Sequence, residues 1–242
     1  MSFATLALLF LVGFLGFGIG VGGGPGGIFD ALGISNSSNT GSSTAAIQDQ
    51  IDAANAKLDK NPQDPQALLK LADNEYLLAK TGIETDPNTG QPTSVSNDAH
   101  TALGKAADAW NKYLKVNKGK PDVTTAFNMV NVYQLLGDID GLIQAQRIIA
   151  AAQPSAQSYG QLALFQYLSG DLSGGDASRK KAIAEAPKSQ RKTLESQLDQ
   201  ARKQGEKIKK QQEKAQNKGG GATTTPGANP LENPFGGVAP TP

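Results

Sequence analysis

The chain has 242 residues, with 23 Lys and Arg against 22 Asp and Glu, a single His and no Cys. The lack of Cys excludes a disulfide scaffold, a zinc ribbon, a thiol nucleophile and a cysteine-linked lipid anchor. A net charge of +1 argues against a chain built as a whole to grip nucleic acid, and a lone His cannot make a His-rich metal site.

Residues 3–21 carry no charge, and 12 of the 19 are Leu, Ile, Val or Phe. A bilayer needs roughly 20 such residues, so this stretch reads as a transmembrane anchor. The rival reading is a cleaved signal peptide, which wants a basic n-region. No Lys or Arg precedes Lys57, so that region is missing, and so is the usual cue to membrane orientation. Gly16 and Gly20, with Gly18 and Gly22, have the spacing of a membrane-helix dimer face, but a glycine-rich stretch produces that spacing by chance. Gly18, Gly20 and Gly23 spell a phosphate-loop pattern without the strand and helix it needs. Residues 22–44 then read as a flexible spacer rich in Gly, Ser and Asn.

From Ala45 the apolar residues take a helical period. Ile47, Ile51, Ala54 and Leu58 form one face, and Asn61-Pro62 ends it. Asp64-Pro65 starts the next helix, which carries Leu68, Leu71, Ala72 and Tyr76 and runs to about Lys80. A polar insertion, 82–97, follows. No stretch shows a period of two, so no sheet is expected. Comparison of the chain with itself then reveals a repeat. Gly137-Asp138 and Gly170-Asp171 lie 33 residues apart, as do Pro154 and Pro187. Each unit reads as helix, Gly-Asp turn, helix, Pro. A damaged copy lies upstream: Leu68 to Lys80, then Ala106, Trp110, Tyr113 and Leu114.

This pattern resembles the tetratricopeptide repeat, a pair of antiparallel helices recurring every ~34 residues. The family positions fall on Tyr159, Leu162, Ala163, Gly170, Gly175, Ala182 and Pro187 in the third unit. In the second they fall on Ala126, Met129, Val130, Tyr133, Gly137, Leu142, Ile149 and Pro154, with Ala126 in a large residue's place and Leu142 and Ile149 in small ones. The resemblance covers residues 45–188 and implies an all-α solenoid of antiparallel helix-pair repeats. It also implies a concave groove lined by the first helix of each pair. Carried over residue by residue, the groove holds Lys70, Asp73, Tyr76 and Leu77 from the first unit. The second supplies Phe127, Asn128, Asn131, Gln134 and Leu135, and the third Gln161, Leu164, Tyr167 and Leu168. Asn131 stands where many family members hold a bound peptide's backbone amide, a task suited to a side chain with both donor and acceptor. The cationic cradle that some members use for a C-terminal carboxylate is missing: Thr124 and Phe127 occupy its places.

No catalytic set, metal site or cofactor is expected. His100 is isolated, Asp138 and Asp140 sit at a helix start where carboxylates cap N–H groups, and Asp86-x-Asn88-x-Gly90 lacks the remaining ligands of a calcium loop. Residues 189–218 carry nine basic and four acidic side chains around a narrow stripe of Leu194, Leu198, Ala201 and Ile208. They read as a basic capping helix, with contact to anionic lipid or a partner as the rival reading. Residues 219–242, rich in Gly, Pro and Thr, are expected to be disordered. The whole therefore reads as a membrane-anchored, non-catalytic scaffold for a protein or peptide client, with no nucleic-acid partner. Its layout is similar to that of bacterial N-terminally anchored tetratricopeptide proteins, and by that likeness the repeat domain is expected outside the cytoplasm. The alternatives are a secreted soluble repeat protein after signal cleavage, and an enzyme whose catalytic residues the sequence does not reveal.

Overall fold

The first N–H groups of a helix have no partner within it, and this chain supplies them from Asp and Ser side chains at the starts. A computed structural model of the chain describes residues 40–88 and 90–218. Among them are eight helices and one hairpin: α1 (Thr40–Lys60), α2 (Pro65–Lys80), β1 (Ile83–Thr85), β2 (Pro92–Val95), α3 (Asn97–Val116), α4 (Val123–Leu136), α5 (Ile139–Ala152), α6 (Ala156–Ser169), α7 (Leu172–Glu185) and α8 (Arg191–Lys218). The apolar stretch 3–21, the spacer up to residue 39 and the tail 219–242 lie outside the described residues. Among the described residues, no helix is long and apolar enough to cross a membrane.

The caps sit where the sequence puts them. Asp64 accepts from the N–H groups of Gln66 and Ala67, with Pro65 in the first turn of α2. Asp122, Asp138 and Asp171 accept from Thr125, Gly141 and Gly174 in the same way, and Ser155 forms a capping box with Ser158. α4 and α6 both end on a glycine in the left-handed region, Gly137 at φ 69° and Gly170 at φ 86°. In both turns the Asp that follows donates its N–H five residues back, to the Tyr133 and Gln166 carbonyls, at 2.9 Å. That bond closes the helix end and aims the chain into the next helix.

The insertion differs from the expectation of no sheet. Ile83–Thr85 and Pro92–Val95 pair antiparallel, with Ile83 opposite Val95 and an irregularity between Glu84 and Thr85. Strands of three and four residues are too short to display an alternation, so no period announces them. Asp86 organises the turn, accepting from the Asn88 N–H at 2.7 Å. Ser96 then closes the hairpin by donating its N–H to the Gly82 carbonyl, and its hydroxyl caps α3.

Packing follows chain order. α2 packs on α1 and α3, α4 on α5, and α6 on α7; α3 against α4 and α5 against α6 join successive pairs. This is an all-α, helical-repeat-like fold, compatible with repeats of the tetratricopeptide type. Each unit rests chiefly on its neighbours, so apolar faces that no single pair could bury are buried by stacking. Trp110, Tyr133 and Tyr167 are fully buried. Trp110 stacks on Tyr113 at 5.2 Å between ring centroids. The Tyr113 hydroxyl accepts from the Asp122 N–H at 3.1 Å and so pins the loop that enters α4.

One alignment detail changes. Matching the repeats at 33 residues sets Leu142 against Gly175. In the structure a Cβ on Gly141 would lie 2.3 Å from the Tyr133 ring, and one on Gly175 would lie 2.3 Å from the Tyr167 ring. The small residue of the second unit is thus Gly141, eight residues after its tyrosine, just as Gly175 follows Tyr167. The glycine lets the second helix of a pair close on the aromatic of the first.

Candidate functional site: the first-helix face

The candidate groove is built on α2 and α4, which contact each other directly. One carboxylate knits them through two hydrogen bonds. Asp73 of α2 accepts from the Thr125 hydroxyl at 3.0 Å and from the Asn128 side-chain amide at 3.1 Å. Burial pushes the Asp73 carboxyl above its ordinary value, although the hydrogen bonds from Asn128 and Thr125 work against the shift and Asp122 adds to it. One helical turn further along, burial raises the Tyr76 hydroxyl, and hydrogen bonding with Asn131 opposes that shift. Lys80 lies 6.0 Å from the centre of the Tyr76 ring, and burial lowers its pKa.

This network decides which expected groove residues have free chemistry. Asn128 is committed to Asp73, and both act as struts between repeats. Asn131 is partly exposed; its amide makes a long contact of 3.5 Å to the Phe127 carbonyl of its own helix and also bonds with the Tyr76 hydroxyl. Lys70 is exposed, Gln134 and Leu135 are half-buried, and Tyr76 is 7% exposed. Leu77 and Phe127 are the large apolar side chains that stand out as exposed among the described residues, at 42% and 39%.

The third unit contributes less than the family pattern implies. Gln161 and Leu168 are half-buried, but Leu164 is 2% exposed and Tyr167 is fully buried, so neither presents a surface to a ligand. Against the same helix lies α8, which packs on α6 more extensively than on α7. It buries Leu194, Leu198 and Ala201. At Gly205 it approaches so closely that a Cβ would lie 2.6 Å from the Tyr167 carbonyl oxygen. Further along, the Gln212 amide reaches the Ser169 carbonyl. The Tyr167 hydroxyl donates to Asp176 at 2.8 Å, and burial is the largest influence holding its pKa well above the tyrosine range. Arg202 of α8 pairs with the same Asp176 oxygen at 2.9 Å, and Arg179 pairs with Asp199 at 2.8 Å.

The remaining singled-out residues take local roles. His100 is exposed on the first turn of α3. Asp138 caps α5, and Asp140 is exposed beside it. The sequence reading missed Thr125 as the partner of Asp73, a contact across 52 residues that no local pattern encodes. Neither a protein-family model, nor a curated protein, nor a solved structure matches this chain. What the fold defines on its own terms is an all-α, helical-repeat-like architecture.

Proposed function

We propose that the chain is a tetratricopeptide-type scaffold that holds an extended peptide or protein segment across α2 and α4, without catalysis. The observation that carries this reading is the exposure of both Leu77 and Phe127. Both are exposed at positions the repeat pattern assigns to the groove, on adjacent helices locked in register through Asp73. Burying two such side chains supplies affinity, while Asn131 supplies amide donors and acceptors for a peptide backbone. The site centres on α2 and α4, because Leu164 and Tyr167 of α6 are buried.

A photo-crosslinker at position 131 is expected to capture a discrete partner. Phe127→Ala is expected to weaken that capture about tenfold, with folding stability changed by less than about 0.5 kcal/mol. Unchanged capture in Phe127→Ala and Leu77→Ala together would sink the groove reading.

We further propose that residues 3–21 anchor the domain in a membrane, with the repeats outside the cytoplasm. The support is the uncharged length of that stretch. Protease added to spheroplasts is expected to digest the repeat domain and to leave it in the membrane fraction beforehand. A mature N-terminus near residue 24 would favour the secreted alternative instead.

A further inference from the structure

A second site lies away from the groove and shares none of its residues. α1 and α3 both pack on α2 without packing extensively on each other, and a cleft of about 380 Å³ opens between them. That volume is at the small end of the range for ligand sites, about 300–1,000 Å³. Leu58 of α1 with Leu68 and Leu71 of α2 supply apolar wall. Glu75 lines the same cleft, with a side chain only 3% exposed. Lys105, Asp108, Ala109 and Lys112 of α3 face them, with Asn55 and Pro62 at the α1 side.

Glu75 is the anomaly. Its Oε1 lies 3.9 Å from the Lys105 ammonium, too far for a hydrogen bond, and its Oε2 is buried without any hydrogen-bond partner. A buried carboxylate oxygen left unpaired is costly, and native proteins rarely carry one without a reason. Packing gives none, since an apolar residue would serve that face better. Burial also holds the Glu75 carboxyl above its ordinary value, with Lys105 only partly opposing it. The missing element is a donor, entering from the cleft.

The lining identifies its chemistry. Glu75 and Asp108 balance Lys105 and Lys112, so a ligand without net charge matches the cleft. An ammonium group gives Oε2 the donor it lacks, a carboxylate or an amide carbonyl accepts from the lysines, and an aliphatic body covers the leucines. We propose that this cleft binds an aliphatic α-amino acid, free or as the first residue of a peptide, through its α-ammonium group on Glu75. The two sources share one recognition chemistry.

The test is an amide-resolved NMR titration of the full chain with four probes: leucine, leucinamide, N-acetylleucine and Leu-Gly-Gly. Leucine and leucinamide are expected to shift the amides of Leu71, Glu75 and Ala109, whereas N-acetylleucine, which lacks the ammonium, leaves them in place. Tighter binding of Leu-Gly-Gly than of leucine assigns the site to peptide N-termini, and the reverse order assigns it to the free amino acid. Glu75→Gln keeps the shape and is expected to weaken leucinamide about tenfold, the worth of a hydrogen bond to a charged group. The probe comparison uses the natural chain and decides the matter even if that variant misfolds. The proposal is overturned if none of the ammonium-bearing probes shifts these amides, or if N-acetylleucine shifts them equally.

Discussion

A chain ending at Gln190 is expected to lose the stability of its α6–α7 pair while α2 and α3 stay folded. α8 buries Leu194 and Leu198 almost completely, at 1% and 0% exposed, and Ala201 at 1%. Each leucine is worth roughly 1.5–3 kcal/mol when fully buried. Removing both therefore costs about 5 kcal/mol, the low end of a whole domain's stability. Stacked repeats couple to their neighbours, so the loss falls on the unit that α8 covers. Hydrogen exchange read by mass spectrometry checks this: protection should collapse across 156–185 and persist across 65–116. Equal loss in both regions would show that the array unfolds as one unit and that α8 is no local cap. The ion pairs contribute far less. Arg202, Asp176 and Asp199 are each about half exposed, so solvent screens these pairs. Their pH signature has a definite sign. Burial works to raise the Asp176 carboxyl, but its bonds to Arg202 and Tyr167 outweigh burial and bring it below its ordinary 3.8. Its small contribution is present above that value and is lost as pH falls through the lowered one.

The same helix explains where the sequence was legible and where it was not. Caps and turns were readable because they are local: Asp64-Pro65, Gly137-Asp138 and Gly170-Asp171 carry their chemistry within a few residues. The repeat was readable because those turns recur. Helical periodicity places Leu164 and Tyr167 on the groove face because it shows which residues share a face, not what buries them. Gly205, which meets the Tyr167 backbone, lies more than 30 positions on, in a segment whose charge reads as solvent-facing. Asn128 likewise looks free in the sequence because its partner, Asp73, is 55 residues away. Glu75 did leave a trace. It falls seven residues after Leu68, four after Leu71 and three after Ala72, on the buried stripe of α2. A carboxylate on such a stripe marks either a strained core or a site.

Tyr167→Ala is expected to destabilise the chain by about 3–5 kcal/mol, the range for deleting a large buried aromatic, and Tyr133→Ala by a similar amount. The rings are fully buried against the backbone of Gly175 and Gly141. The hydroxyls matter less. Tyr133 donates to Asn111 at 3.1 Å and Tyr167 to Asp176 at 2.8 Å, so the Phe variants are expected to cost about 1 kcal/mol each. Gly175→Ala attacks the same contact from the other side. Its new Cβ would meet the ring at 2.3 Å, an overlap that forces the helices apart and costs about 1–3 kcal/mol. The decisive measurement is the double variant, Tyr167→Ala with Gly175→Ala, in chemical denaturation. Once the ring is gone, the added methyl enters the space it left. The second substitution should then cost little or even stabilise, giving a coupling of about 1–2 kcal/mol. Strictly additive losses would mean that the glycine serves the backbone of α7 and not the ring. Coupling at both Tyr133–Gly141 and Tyr167–Gly175 would establish the aromatic-on-glycine contact as the unit that is repeated, with the turn glycines free to shift by one residue around it.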